Sequence, residues 1–550
     1  MILLSILILI VAISLPFNNN ISSVFYLRIS SIILIYAGAL SFNALYVQSI
    51  GHGVGIFSGL FHVTSVSQWL DTFLFVIGSL ILISWPSITS ISVLRLPATR
   101  TAAEYSLIVL FSTLGASLLI SSADLISMYL SIELQSFGVY ILSSLYRDSE
   151  SSTSAGLKYF LLGALSSCLI LLGSALIYSF TGLTNLESLY SIWSVSDFNN
   201  ISQGISLGLI VLIVGFLFKI AAAPLHNCVM PKISILIFLL ELHTQLGVIV
   251  NNININLFSS GLVEVLNNIT YLTGNKNYTN FLSENIINVL TNLLLISSLL
   301  SLIIGTIVGL AQSRIKRLLG YSTISHIGFM LLALAINTEQ SIDSLIFYIV
   351  QYSITNLNTF LIILAFGYII KNGLWSNSTI TKNSKLSSLL NTESERDIKL
   401  ISELKGQFFS NPLLSLSLSI CLFSMADYTL IPPLLGFFSK QYVLFSAIQS
   451  GYYFMAIIAI VVSVISASYY LKIIRVLHTG GTETAPTGLI SVEEGFSSSQ
   501  IEGHNISESD LTNYHSFMIS TLTLSILFFI LKPSILLNST QLLSLSLFNY

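Results

Sequence analysis

At 550 residues the chain is long enough for about three or four soluble domains, but 54% of it is hydrophobic, 8% is charged and the mean hydropathy is +0.86. That composition belongs in a lipid bilayer. The 21 basic and 24 acidic residues leave a net charge of −3, which gives nucleic acid no basic footprint to bind. The three cysteines, Cys168, Cys228 and Cys421, lie far apart and match none of the zinc, iron–sulfur or haem spacings, so they read as inert packing residues.

Residues 2–17 are apolar from the start, with no Lys or Arg before them and no small-residue cleavage motif. They predict a first membrane helix rather than a transit peptide. A crossing needs roughly 20 apolar residues. On that measure the first seven spans fall near 2–16, 24–48, 70–90, 104–121, 124–146, 155–180 and 206–226. Seven more fall near 231–250, 288–311, 318–338, 342–371, 411–448 (long and interrupted), 452–475 and 516–536. The expected fold is therefore an all-α polytopic membrane protein of about fourteen transmembrane helices. The bias toward Ile, Leu, Ser, Asn, Phe and Tyr suits an AT-rich genome such as a mitochondrial one.

An even number of spans puts both termini on one side. Basic residues test this count, because Lys and Arg collect on the side from which helices insert. Loops opposite the termini carry Arg95, Arg100, Arg147, Arg314, Lys316, Arg317, Lys371, Lys382, Lys385, Arg396, Lys399, Lys405, Lys472 and Arg475, whereas the loops on the terminal side carry Lys276 alone. The basic face is thus expected in the matrix or cytoplasm. The polar insertions 372–410 and 476–515 fall on that face.

An ionised side chain at the bilayer centre costs about 2.5–3.5 kcal/mol on insertion scales, so each one calls for a partner, water or a function. Six fall inside the spans: Glu133 on the fifth, Lys158 on the sixth, Lys219 on the seventh, Lys232 and Glu241 on the eighth, and Lys440 on the interrupted twelfth. Desolvation and a neighbouring carboxylate move a lysine's proton affinity in opposite directions, so a Lys/Glu series can pass protons on. The plainer readings are a static Glu133–Lys219 ion pair between helices and a Lys158 that snorkels to the surface. Pro224 follows Lys219, and Pro432-Pro433 with Gly436 precede Lys440. Both lysines therefore sit beside discontinuous helices of the kind that serve ions at the midplane of transporters. His326 suits a proton relay, although a histidine bonded to a neighbouring helix is commoner; His226 and His243 flank the same path. Asp71 and Asp124 read as helix N-terminal caps.

These residues sit in the phrases Ser131-Ile-Glu-Leu-Gln-Ser-Phe137, Gly156-Leu-Lys-Tyr-Phe-Leu-Leu-Gly-Ala164, Phe218-Lys-Ile-Ala-Ala-Ala-Pro-Leu-His226, Arg314-Ile-Lys-Arg-Leu-Leu-Gly-Tyr-Ser-Thr-Ile-Ser-His-Ile-Gly-Phe329 and Ile431-Pro-Pro-Leu-Leu-Gly-Phe-Phe-Ser-Lys-Gln441. From about residue 100 to 475 the chain resembles the antiporter-like subunit 2 family of mitochondrial NADH–ubiquinone oxidoreductase (complex I), of fungal type. The resemblance implies three N-terminal helices (1–103), a first five-helix repeat (104–250), a polar loop (251–287), an inverted second repeat (288–475) containing the 372–410 loop, a further loop (476–515) and a C-terminal helix (516–550). It implies a proton relay of Glu133, Lys158, Lys219, Lys232 and Lys440, with His326 as a weaker member. No cofactor is expected in this chain. Flavin and iron–sulfur clusters would lie in other subunits of the complex, which would also bind NADH and ubiquinone. The other expected partners are membrane lipids and the remaining complex I subunits, in the mitochondrial inner membrane with the termini toward the intermembrane space.

Two places depart from the family pattern. Twelve residues separate Lys219 from Lys232, where the family runs some 15–20 residues longer. At about 1.5 Å per residue a hairpin that short descends only some 9 Å, against about 15 Å for half a hydrocarbon core. Asp427 to Leu430 replace a single glycine of the family. Both are read as exon-boundary errors in the translated gene. The competing functions are a subunit of a monovalent cation/proton antiporter and an inactive membrane scaffold of the complex.

Overall fold

The computed structural model describes residues 1–15, 23–46, 53–84, 98–145, 150–195, 199–224, 234–237, 239–240, 278–378, 398–426, 434–479 and 513–548. The order is α1 (Ile2–Ser14), α2 (Ser23–Ala44), a hairpin of β1 (Val54–Ile56) and β2 (Phe61–Val63), α3 (Ser65–Ile83), α4 (Ala98–Ile120), α5 (Leu125–Ser143), α6 (Glu150–Thr181), α7 (Leu186–Val195) and α8 (Asn199–Ile220). Then come α9 (Tyr278–Leu310), α10 (Ile315–Ile336), α11 (Glu339–Ser378), α12 (Pro412–Ala426), α13 (Leu435–Gln449), α14 (Tyr453–His478), α15 (Asn513–Phe528) and α16 (Ser534–Phe548). Nine helices among the described residues are long and apolar enough to cross a membrane.

Serine and threonine are frequent in these helices, and the backbone absorbs them. Ser297 donates to the Leu294 carbonyl at 2.9 Å, Ser301 to Ser298 at 2.8 Å and Thr306 to Leu302 at 2.9 Å. Returning the hydroxyl to the preceding turn leaves no unsatisfied donor to face hydrocarbon. The hairpin, the short α7, the turn of helix Gln407–Ser410 and most of α16 have no counterpart in the predicted spans. The third helix also starts five residues early, because Thr64 and Ser67 form a reciprocal capping box at 3.1 and 2.9 Å. Asp71 is consequently a buried residue inside α3 rather than its cap.

Helices pack in close pairs, α2 on α3, α4 on α5, α6 on α8 and α9 on α10. Glycine permits two of these approaches. A Cβ on Gly115 of α4 would lie 2.7 Å from the Gln135 backbone nitrogen of α5, and one on Gly305 of α9 would lie 2.6 Å from that of Ser325 on α10. The most enclosed spans are α10 (83% of its apolar window buried) and α11 (78%), whereas α6 (33%) lies at the edge. Functional side chains on α10 and α11 are therefore shielded, and those on α6 face outward.

Candidate functional site

The first half of the site is fixed by how α5 begins. The Asp124 carboxylate caps it, accepting from the Ile126 nitrogen at 2.8 Å with one oxygen and from the Thr184 hydroxyl at 2.8 Å with the other. Leu125 N–H donates to the Thr184 carbonyl and Leu186 N–H to that of Ala123, at 2.9 and 3.0 Å. The β-hairpin closes over the same end, with His62 N–H on the Ser121 carbonyl at 2.7 Å and Ala123 N–H on that of Leu60 at 3.0 Å. These ties set the depth of α5. Glu133, eight residues beyond Leu125, lies about 12 Å along the helix, close to its middle.

Lys219 approaches from the last turn of α8 and is 5% exposed. Its Nζ lies 3.3 Å from Glu133 Oε1 and donates to Ser136 Oγ at 2.8 Å. Ser136 passes its own hydroxyl hydrogen to the Ile132 carbonyl at 2.5 Å. The helix stops one residue after the lysine, and Ala221 turns to φ 63°. Lys219 therefore stands in the last turn of α8, at the negative end of the helix dipole. The structure thus brings Glu133 and Lys219 together.

The second half repeats this construction. Arg314 stands at the N-cap of α10 and pairs with Leu400, as Asp124 pairs with Asn185. Ile315 N–H donates to the Lys399 carbonyl and Ile401 N–H to that of Ser313, at 3.2 and 3.1 Å. A shift of 190 residues takes Asp124 to Arg314, Gly115 to Gly305, Gln135 to Ser325 and Ser136 to His326. Glu133 falls on Thr323. Likewise Gly215-Phe-Leu-Phe-Lys219 recurs as Gly436-Phe-Phe-Ser-Lys440.

Lys440 is 5% exposed. Its Nζ donates to the Met425 carbonyl at 3.2 Å and lies 5.2 Å from the centroid of the Phe329 ring. Met425 is the penultimate residue of α12, so the lysine meets one of the carbonyls a helix end leaves over. His326 lies within electrostatic reach of Lys440. Its Nδ1 is 2.7 Å from the Tyr348 hydroxyl and its Nε2 3.2 Å from that of Tyr470. A cleft of about 540 Å³ leads to Lys440 between α13 and α14, walled by Leu444, Phe445, Ile460 and Val464.

Lys158 does not join either cluster. It lies on the exposed face of α6 beside the exposed Leu157, Phe160 and Leu161. Lys232, Glu241, His226, His243 and Cys228 lie outside the described residues, as do both departures from the family pattern. Cys168 is exposed rather than packed inside, while Cys421 is buried and accepts from Asn358 Nδ2 at 3.1 Å. No cluster of metal-binding side chains occurs among the described residues. The sequence reading missed Ser136, the Met425 carbonyl, Tyr348 and Tyr470. The repeated Gly-Phe-x-x-Lys phrase was the available signal for the second half-site. Ser234 and Ser439 were also missed; they donate to Gln135 and Gln351 at 2.9 and 3.2 Å and tie the neighbouring helices together.

A helical membrane scaffold with two buried lysines at helix ends, Lys219 paired with Glu133, defines an antiporter-like protein. The family model described as NADH:quinone oxidoreductase/Mrp antiporter, TM matches residues 122–242 and 271–466, and the chain belongs to that family. It is 46% identical to the NADH-ubiquinone oxidoreductase chain 2 of Rhizopus oryzae, over 100% of both chains. It is 34% identical to the chain of the same name from Marchantia polymorpha, over 68% of this chain and 67% of that one. Among solved structures it is similar to a chain of respiratory complex I from Thermus thermophilus, with a TM-score of 0.60 and 22% identity over 98% of this chain and 99% of that one. It is also similar to a chain of the Mrp complex from Dietzia, with a TM-score of 0.67 and 17% identity over 100% and 96%.

Proposed function

We propose that this chain is a core membrane subunit of a respiratory NADH:ubiquinone oxidoreductase, and that it translocates protons through a buried relay of Glu133, Lys219, Lys232 and Lys440, with Lys158 and His326 as further members. NADH oxidation and ubiquinone reduction take place in other subunits, which carry the flavin and iron–sulfur clusters. The observation that carries this reading is the Lys219–Glu133 contact at 3.3 Å, supported by Ser136, at the broken end of α8. A proton shared in such a pair is released or taken up when the two groups separate, since each one's charge stabilises the other's.

The full-length likeness to the Rhizopus chain supports complex I over a stand-alone cation/proton antiporter. The 190-residue correspondence supports two inverted five-helix repeats, 104–250 and 288–475, within about fourteen crossings. The hairpin closes the starting end of α5, whereas Arg314 and Lys399 gather at the starting end of α10. In the inner mitochondrial membrane the basic end would face the matrix and the termini the intermembrane space. The test is Lys219→Ala in the assembled complex. Protons pumped per NADH oxidised, or turnover itself, should fall while the amount of complex stays constant. Normal coupled pumping would leave only the scaffold reading.

A further inference from the structure

Where Ser136 contacts Lys219 in the first half-site, the second has His326 near Lys440, with a tyrosine hydroxyl on each of its ring nitrogens. The three side chains come from three helices, Tyr348 from α11, His326 from α10 and Tyr470 from α14. Tyr348 and Tyr470 are wholly buried and His326 is 5% exposed. Burying three polar side chains together in hydrocarbon is expensive unless each is satisfied, and here each ring nitrogen has a partner.

Depth makes the arrangement directional. Tyr470 lies eight residues from the end of α14 that also carries Lys472 and Arg475, about 12 Å along the helix. His326 lies eleven residues from Ile315 at the same end of the bundle, about 16 Å. Tyr348 lies nine residues from the start of α11 at the opposite end, about 13 Å. Buried Ser322, whose hydroxyl donates to the Leu319 carbonyl at 2.7 Å, lies one turn of α10 before His326 on the basic side. Buried Ser344 and Ser341 continue the face of α11 beyond Tyr348 on the other side.

We propose that Tyr470, His326 and Tyr348 form a hydroxyl–imidazole–hydroxyl wire that carries protons past Lys440; this rests on the proton-translocating reading above. A neutral imidazole has one donor and one acceptor nitrogen, whereas a tyrosine hydroxyl serves as either. With Nδ1–H donating to Tyr348, Nε2 accepts from Tyr470. In one passage the Tyr470 O–H bond breaks and an Nε2–H bond forms, while the Nδ1–H bond breaks and a new O–H bond forms at Tyr348. Tyr348 releases its original proton to a water on the Ser344 side, and Tyr470 regains one from a water on the Ser322 side. One proton has moved, no electrons have, and the ring holds the opposite tautomer. Reorientation of the imidazole, which swings its N–H back toward the Tyr348 side, together with rotation of both hydroxyls, resets the wire without carrying a proton back.

The test uses the assembled complex in sealed vesicles with three variants, Tyr348→Phe, Tyr470→Phe and Tyr352→Phe. The Tyr352 ring lies 4.7 Å from His326 but neither ring nitrogen bonds its hydroxyl. Tyr348→Phe and Tyr470→Phe should each lower coupled turnover or proton yield about tenfold, as loss of one positioned proton carrier does when water substitutes in part, and should enlarge the solvent deuterium effect. Tyr352→Phe should match the parent, as should the amount of complex and its NADH oxidation with an artificial acceptor in all three. Normal pumping and an unchanged isotope effect in either wire variant overturn the wire. If Lys219→Ala also pumps normally, the translocation reading itself has failed; if only Lys219→Ala is impaired, the wire alone is wrong. Should a wire variant not assemble, infrared difference spectra of the parent complex with ring-labelled tyrosine decide: turnover must perturb a tyrosine C–O band, and a silent band overturns the proposal.

Discussion

Glu133 offers the sharpest test, because the same position can be changed in charge or in reach. With Glu133 Oε1 3.3 Å from Lys219 Nζ, the attraction at an effective dielectric of about 20 is about 5 kcal/mol. Glu133→Gln removes it and leaves a buried ammonium with Ser136 and the end of α8, a change that typically costs about 3–5 kcal/mol. Glu133→Asp keeps the charge but withdraws it by one carbon–carbon bond, about 1.5 Å. If nothing else moves, the separation becomes about 4.8 Å and the attraction about 3.5 kcal/mol. Proton yield per NADH should therefore fall in the order parent, Asp, Gln, with the Gln variant retaining a small fraction of the coupled rate. The assay is acidification of reconstituted vesicles alongside NADH:quinone turnover, normalised to complex content. A Gln variant that pumps like the parent would refute the charge argument, and so would an Asp variant as inactive as Gln.

Exposure separates the remaining lysines. Lys440→Met should impair coupled turnover severely, because the ammonium is buried on Met425 and Phe329, and Lys158→Met should impair it less, because that side chain faces outward; equal losses in the same assay would contradict this ordering. Gly115→Ala forces a methyl to 2.7 Å from the Gln135 backbone and should destabilise the α4–α5 pair by about 1–3 kcal/mol. Gly320→Ala meets nothing within 4 Å and should be neutral or stabilising by up to about 1 kcal/mol; thermal release of the two variants from the complex compares them. Peptide mass spectrometry across residues 219–235 and 424–436 should find a longer first segment and a shorter second one than the translated gene, and recovery of the translated versions refutes the exon-boundary explanation.

Part of the fold was legible because the hydrocarbon core imposes a length on every apolar run, and the expected spans 2–16, 24–48, 124–146, 318–338 and 452–475 match helices to within about four residues at both ends. Legibility failed where a local polar bond outweighed that rule. Thr64 and Ser67 pull α3 five residues toward the loop, so that Asp71 ends up inside it. The β-hairpin is held by backbone bonds to Ser121 and Ala123, which no side-chain pattern announces. At the site, charge in an apolar run pointed to Glu133, Lys219 and Lys440, but their neutral partners could not be seen the same way. Ser136, Tyr348 and Tyr470 are ordinary membrane residues by composition, and only the crossing of helices makes them ligands of a lysine or a histidine. Lys158 shows the converse: one-dimensional position placed it with the other lysines, but the edge position of α6 turns it away.

The two half-sites solve one electrostatic problem by different means, and the difference explains why the sequence reading recognised one partner and not the other. Each lysine lies at the carbonyl end of a broken helix, α8 for Lys219 and α12 for Lys440, where the peptide dipoles favour a cation. That contribution is typically below about 2 kcal/mol, less than the several kcal/mol that desolvating an ammonium costs, so each site needs a second stabilising group. For Lys219 this is a full charge, Glu133, at 3.3 Å. At the corresponding position in the second half the residue is Thr323, and Lys440 relies instead on a helix-end carbonyl at 3.2 Å and the face of Phe329 at 5.2 Å. A carboxylate can exchange a proton with its lysine, whereas a carbonyl and an aromatic face cannot. Beside Lys440, His326 can take and give a proton at its two ring nitrogens, each of which meets a tyrosine hydroxyl.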